Sequence, residues 1–411
     1  MKKLIVLSVI FALVAGAVFA QEVNVGGGIQ VGAELIKGTT QKDADDKTPD
    51  PEAAGEIKRG RIQLSGQNEA ENFGGRIRFN TGGFEDAFAW WKPIDMVRLF
   101  LGQNGDGEYT MDPLCWGFYA EAGDILGMHN SFGTAYAGNI LGGTDFGMIV
   151  TISPMEGLDV SFAVPYGNKG KAEYVYKKFV AQVTYAMEGL GKFGLRYKGG
   201  IGEIKSDDAA VPAIYLDLTT PASPAFVIDP TPAQITAGGD NWVLYKAGKK
   251  AGETTYDPGA LYAYFELAMI ENLFLDFGFR YTFNGDDTGG KSWKNPMGVG
   301  LTARYDMDPF GVKARVESTF GGDDKALTVF FEVLPYYAVS ESLTAYLGAG
   351  LSFLKPDDGD NVVNWHINPY LSVNEGNATF YAGFKLNGFG KDGQAKSYMN
   401  WGIPIGIAYN F

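Results

Sequence analysis

Hydrophobic and polar residues alternate with a period of two along most of this chain. In the final stretch, Trp401, Ile403, Ile405, Ile407, Tyr409 and Phe411 fall on one side, and Gly402, Pro404, Gly406, Ala408 and Asn410 on the other. A period of two marks a β-strand, whose side chains point to opposite faces in turn. Leu273, Leu275, Phe277, Phe279, Tyr281 and Phe283 alternate in the same way with Phe274, Asp276, Gly278, Arg280 and Thr282. So do Leu343, Ala345, Leu347, Ala349, Leu351 and Phe353 with their neighbours. Alternation and turn chemistry together predict about 18 strands. They lie near 22–36, 57–67, 71–81, 85–92, 95–103, 145–153, 158–166, 173–187, 192–199, 258–270, 272–284, 296–306, 311–320, 326–334, 343–353, 362–373, 377–387 and 400–411.

The connections between these strands alternate in length. One set is short: 68–70, 92–94, 154–157, 188–191, 271, 307–310, 340–342 and 374–376. The other includes 37–56, 104–144 and 200–257, which are long, acidic, or rich in Pro and Gly. A β-sandwich has no reason to sort its loops by length. A transmembrane barrel does, because its turns are short on one side of the membrane and its loops long on the other, and its strand number is even. A Lys or Arg on the lipid face would cost about 2–4 kcal/mol at the midplane, and the alternation keeps such residues off the apolar face. The fold class expected is therefore all-β: a transmembrane antiparallel β-barrel of about 18 strands, with 16 as the alternative count.

Composition narrows the compartment. Residues 1–20 read as a secretory signal, with basic Lys2 and Lys3, an apolar Leu4 to Val14, and Val18-Phe19-Ala20 as a cleavage site. Removal after Ala20 would leave one barrel domain over 21–411. No later run of about 18 apolar residues could form a spanning helix, so export points to the outer membrane. Cys115 is the only cysteine and can form no intramolecular disulfide. The formal charge is −14, and without Lys2 and Lys3 there are 32 basic against 48 acidic residues, or −16. Nucleic acid is a poor partner for such a surface.

On this alternation Arg59, Arg61, Arg76, Arg78, Arg98, Arg196, Arg280, Arg304 and Arg315 face inward, with Lys178, Lys198 and Lys313. The segments Arg59-Gly60-Arg61-Ile62-Gln63-Leu64, Gly75-Arg76-Ile77-Arg78-Phe79-Asn80 and Val97-Arg98-Leu99-Phe100-Leu101-Gly102 resemble the opening strands of bacterial general porins. The Phe at the end of the last strand is similar to the C-terminal signature of outer-membrane proteins, which the barrel-assembly machinery reads. The resemblance implies a passive channel for small hydrophilic solutes and ions, a contact with outer-membrane lipid, a homotrimer, and no cofactor or metal. It also implies that the long loop after the fifth strand, here 104–144, folds into the barrel and narrows it. That loop carries Glu108, Asp112, Glu121 and Asp124, with Trp116, Phe118 and Tyr119 among them. Acids there facing arginines on the wall would set a field across the constriction, which orients polar solutes. The chain departs from the family in its strand count and in the long 200–257 insertion.

Other readings stay open at this point. The loop acids could only solvate an outer loop, and the inward arginines could be bridged to Asp276, Glu317 and Glu332 as structural pairs. Trp91, Trp116, Phe118, Tyr119, Tyr346 and Tyr370 could form the aromatic track of a sugar-selective porin. A structural or adhesive barrel would use the long loops to bind outside partners. A barrel hydrolase would need a base, and the chain has only His129 and His366, the latter on a face with Ser372. Residues 285–292 match a phosphate-binding loop in letters, but Asn295-Pro296 and an alternating strand follow where that motif needs a helix.

Overall fold

The computed structural model describes residues 20–41, 52–81, 83–103, 118–119, 122, 126, 140–141, 146–166, 177–200, 259–283, 296–321, 327–355, 361–391 and 398–411, and the backbone of five short strands between 202 and 257. The first nine strands are β1 (Ala20–Gln41), β2 (Glu52–Asn68), β3 (Phe73–Asn80), β4 (Gly83–Ile94), β5 (Val97–Gln103), β6 (Phe146–Met155), β7 (Leu158–Pro165), β8 (Val180–Met187) and β9 (Gly191–Lys198). The short ones are β10 (Gly202–Lys205), β11 (Ile214–Asp217), β12 (Ala225–Ile228), β13 (Trp242–Lys246) and β14 (Thr254–Asp257). Then come β15 (Gly259–Ile270), β16 (Leu273–Phe283), β17 (Met297–Met307), β18 (Phe310–Phe320), β19 (Leu327–Ala338), β20 (Leu343–Lys355), β21 (Val362–Glu375), β22 (Ala378–Gly383), β23 (Lys385–Lys391) and β24 (Tyr398–Asn410).

Each long strand pairs antiparallel with its neighbours in the chain, β9 pairs with β15, and β1 pairs with β24, so the sheet closes on itself. β22 and β23 are one strand interrupted at Phe384, since both lie between β21 and β24. The result is a closed 18-strand antiparallel barrel. Closure satisfies the backbone amides and carbonyls by ladder hydrogen bonds, which hydrocarbon surroundings demand.

The faces follow the alternation. Phe277, Leu301, Phe331, Leu351 and Ile367 are exposed on the outside, whereas their neighbours Asp276, Thr302, Glu332, Ser352 and Asn368 are buried within the barrel. Apolar outside and polar inside is the inverse of a water-soluble protein, and it suits a lipid-facing wall.

The seam between β1 and β24 is closed at its end by a reciprocal pair. Gly27 N donates to Phe411 O at 2.8 Å, and Phe411 N donates to Gly27 O at 3.1 Å. The Phe411 ring lies over Gly27, where a Cβ would sit 2.8 Å from the ring and 2.4 Å from the Arg61 carbonyl oxygen. Only glycine admits that approach.

Several boundaries differ from the sequence reading. The strand expected over 173–187 begins at Val180, which leaves Lys178 in the preceding turn. The first connection is 42–51, not 37–56, because β1 and β2 pair further out, to Lys37 and Glu52. The β3–β4 connection, on the long-loop side, is only residues 81–82, so the alternation in length fails there. β3 is a short strand, and β2 runs on past it from Arg61, the partner of Asn80, to Glu52. The 200–257 insertion holds two small sheets of its own, β10–β14 and β12–β11–β13. The signal at 1–19, the match at 285–292 and His129 lie outside the described residues.

Candidate functional site

Two features occupy the inner face. The first is a wall of arginines on β2, β3 and β5, facing acids that project from β4. At the β3–β4 pairing the register slips: Arg78 opposes Asp86 and Phe79 opposes Phe84, so Glu85 is an extra residue. Such a bulge re-aims side chains, and here it turns both Glu85 and Asp86 towards the arginines. Arg61 Nε donates to Glu85 Oε2 at 2.9 Å, and Arg59 Nη2 to Glu85 Oε1 at 3.3 Å. Arg76 Nη2 donates to Asp86 Oδ2 at 3.0 Å, and Arg78 Nη1 lies 3.2 Å from the same oxygen. Arg78 Nε also donates to Gln63 Oε1 at 3.0 Å.

Aromatic faces hold the rest. The Arg76 guanidinium sits 4.7 Å above the Phe88 ring and that of Arg98 5.1 Å above Trp90. Each contact is a cation–π arrangement that steadies a charge without neutralising it. Arg59 and Arg61 thus share Glu85, Arg76 and Arg78 share Asp86, and Arg98 stands beside them over Trp90.

The second feature is the segment after β5. Its described residues lie inside the barrel on both sides of the lumen. Phe118, Tyr119, Ala122 and Leu126 pack with Leu334, Tyr370 and Ala408 of β19, β21 and β24. Ile140 and Leu141 pack with Phe88, Phe100, Ile149, Ala163 and Val180 of β4 to β8. Those two sets of strands stand on opposite walls of the ring. These described residues of the segment therefore lie against the inner wall, where the porin resemblance places this loop.

Its seat on the β18–β21 wall is polar as well as apolar. Tyr119 Oη lies 3.2 Å, and Glu332 Oε1 3.0 Å, from His366 Nε2. Arg315 Nη2 donates to Glu332 Oε2 at 2.7 Å, and the Arg315 guanidinium lies 5.1 Å above the Phe118 ring. Lys313 Nζ donates to the Phe118 carbonyl at 3.3 Å. Room for the tyrosine comes from Gly348, whose Cβ would meet Tyr119 Oη at 2.5 Å. Burial first, and then the charge of Glu332, push the Tyr119 phenol well above its ordinary range, so it remains a protonated donor.

The structure sorts the residues singled out from the sequence. Arg61, Arg76, Arg78 and Arg98 come together on one wall. Arg196 stands apart on β9, buried, with Nε donating to Gln182 at 2.7 Å. Arg304 is 3.1 Å from Asp306 and over Phe274, and Arg315 serves the seat of the inserted segment. Arg280 is on the lumen face of β16, opposite Tyr262 and Gly298 in register. Glu108, Asp112, Trp116, Glu121 and Asp124 lie outside the described residues.

Two aromatic assignments change. Trp91 is half exposed on the outer face, because beyond the Glu85 bulge the lumen residues of β4 are Asp86, Phe88 and Trp90. Tyr119 and Tyr370 are only 6 % and 4 % exposed. Tyr370 stacks on Tyr346 at 4.4 Å with planes 2° apart. With their faces covered, these rings anchor the inserted segment and offer no track for a sugar. Nor does His366 form a Ser–His pair. Its Nε2 is taken by Tyr119 and Glu332, and Ser372 lies six residues along the same strand, roughly 20 Å away at the rise of a β-strand.

Sequence reasoning missed Glu85, Asp86, Trp90 and Gln63 as partners of the arginines. The adjacent acids Glu85-Asp86 inside an alternating run were the available signal, since two polar residues in succession break a period of two and mark a bulge.

No family model matches the chain, and no curated protein matches it in sequence. Solved structures do match. A BenF-like porin from Pseudomonas fluorescens Pf-5 aligns over 96% of this chain and 99% of its own, with a TM-score of 0.53 and 9% identity. The outer membrane protein opdK from Pseudomonas aeruginosa aligns over 96% and 99%, with a TM-score of 0.51 and 9% identity. An anion-selective porin from Comamonas acidovorans aligns over 95% and 99%, with a TM-score of 0.50 and 11% identity. At such low identity the likeness speaks to architecture, and with the closed ring, apolar outer face and occupied lumen it shows that the chain has the fold of the outer-membrane porins.

Proposed function

We propose that the chain forms a water-filled channel in the outer membrane for passive diffusion of small hydrophilic solutes and ions, with a throat that prefers anions. The observation that carries this reading is the inner surface: a polar lumen with Phe118, Tyr119, Ala122 and Leu126 seated inside it, and a wall on which Arg59, Arg61, Arg76, Arg78 and Arg98 gather around Glu85 and Asp86. Fixed positive charge in a confined path attracts anions and penalises cations. One protein of similar fold is an anion-selective porin, and the arginine wall argues for the same preference here. No step needs covalent chemistry, since the chain's groups only shape and charge a path. Export with removal of the signal after Ala20, delivery to the assembly machinery through the strand that ends at Phe411, and a homotrimer complete the proposal.

The test is single-channel recording of refolded protein in a planar bilayer under a salt gradient. A stable conductance with an anion-selective reversal potential supports the reading. A cation-selective reversal potential would leave a channel but overturn the role given to the arginine wall. Silence from protein shown to be folded and inserted would overturn the channel itself.

A further inference from the structure

On three neighbouring strands the lumen face carries a tyrosine at one level. Register sets Tyr336 of β19 opposite Tyr346 of β20, and Tyr346 opposite Tyr370 of β21. Side chains directly opposite one another across an antiparallel ladder are close enough to touch, and here all of them are phenols. The ring centroids of Tyr336 and Tyr346 are 5.7 Å apart, and Tyr346 and Tyr370 stack at 4.4 Å with planes 2° apart. Tyr119 extends the row from the inserted segment, with its ring 6.4 Å from that of Tyr370. Glycine makes the room at the other end, since a Cβ on Gly311 of β18 would run into the Tyr336 ring.

Packing alone does not require two phenols at such a contact. Tyr197 stacks on Phe283 at 5.7 Å elsewhere in the barrel with one hydroxyl between them. Phenols in contact share a chemistry that phenylalanine lacks. Each can lose an electron and a proton together to give a neutral phenoxyl radical, and the electron vacancy can pass between touching rings. The electron leaves more readily where a base takes the proton. Tyr336 Oη already donates to Asp306 Oδ1, and the Asp306 side chain is 39% exposed, so that proton has a route to lumen water. Access is graded along the row: Tyr336 and Tyr346 are half-buried, whereas Tyr370 is buried. Oxidation therefore enters at Tyr336 and Tyr346, and the closest pair of rings lies one step further in.

We propose that Tyr346 and Tyr370 form an oxidative cross-linking site, fed through Tyr336 by small one-electron oxidants in the lumen, of which the carbonate radical anion is the type. Two equivalents of oxidant are reduced, each taking one electron, and two phenol protons leave to Asp306 and water. The resulting radicals on Tyr346 and Tyr370 join by a carbon–carbon bond between the ring positions ortho to their oxygens. The hydrogens on those two carbons return to the oxygens as the rings regain aromaticity. Two phenols thus lose two protons and two electrons and become one dityrosine. The new bond ties β20 to β21 at the ring against which Tyr119 packs. The proposal rests on the channel reading only for the route by which oxidant arrives in the membrane.

The experiment exposes refolded full-length protein in detergent to photochemically generated carbonate radical, and reads dityrosine fluorescence and the masses of linked peptides. Wild type should yield an intramolecular link joining the peptides of Tyr346 and Tyr370, lighter than their sum by two hydrogens. Tyr346→Phe and Tyr370→Phe, which keep the rings, should each abolish it. Tyr336→Phe should lower its yield severalfold, and Tyr197→Phe should leave it unchanged. Heat-modified gel mobility checks that every variant is folded. A dityrosine located elsewhere, a Tyr346–Tyr370 link formed equally in urea-unfolded chain, a yield unmoved by Tyr336→Phe, or no link at a dose that consumes free tyrosine would each overturn the proposal. Conductance measured on the same preparation separates the two readings: an open channel without the link removes the cross-linking site alone, and a silent barrel that forms the link removes the channel alone.

Discussion

Removing the Tyr119 side chain should free the inserted segment from its seat. In Tyr119→Phe the ring stays against Tyr370 and Phe118 while the hydroxyl beside His366 Nε2 is lost. His366 keeps Glu332 at 3.0 Å, so one hydrogen bond disappears without stranding its partner, a loss of about 1 kcal/mol. At about 1.4 kcal/mol per factor of ten, the released state should become roughly fivefold more populated. Tyr119→Ala also removes a ring that is 6 % exposed, and truncating a buried aromatic costs about 3–5 kcal/mol. That corresponds to a factor of about a hundred or more. Single-channel recording measures this directly. Wild type should give a quiet level, Tyr119→Phe brief excursions to a higher conductance, and Tyr119→Ala a persistently larger and noisier one. If Tyr119→Ala matched wild type in level and noise, with both shown to be inserted, the contacts at Tyr119 could not be what holds the lumen narrow.

Other expectations follow from the same contacts. Arg315→Met leaves Glu332 buried without its 2.7 Å partner and should destabilise the barrel by about 3–5 kcal/mol in urea unfolding, whereas adding Glu332→Leu should recover most of that loss. Glu85→Gln removes a carboxylate shared by Arg59 and Arg61 and should shift the reversal potential further towards anions, while Arg78→Gln should shift it back. Gly27→Val drives a side chain into Arg61 O and the Phe411 ring and should sharply lower the refolding yield measured by gel mobility. Leu301→Lys places a charge on the lipid face and should cost about 2–4 kcal/mol in unfolding from lipid bilayers.

The barrel was legible because its signal is local. Each strand announces itself within a dozen residues, as Leu273 to Phe283 does by alternating, and antiparallel neighbours follow from the turns between them. Pairing within the lumen was not legible, because it depends on register. Arg315 meets Glu332 only because β18 and β19 align those positions, and a slip of one strand by one residue would send its member of the pair to lipid. The Glu85 bulge shows the same sensitivity: it decides that Trp90 faces the lumen and Trp91 the outside. The seat of the inserted segment was least accessible, since Tyr119 and His366 are 247 positions apart and no periodicity connects them. The resemblance to general porins supplied what local pattern could not, namely that the segment after β5 turns inward.

The pairing of β1 with β24 bears on how such a wall can form at all. Every other contact in the ring joins strands that follow one another in the chain, across an insertion at β9–β15, whereas Gly28 meets Asn410 across nearly the whole described sequence. Hairpins can thus accumulate one by one, but the ring stays open until that single distant contact is made, and loop closure over such a span is slow. Throughout that interval the nascent sheet has two bare edges, β1 and β24, each able to recruit a strand from another molecule. The aromatic ring that settles on Gly27 is then the latch of the last step, and a chain unable to set it would be a template for aggregation.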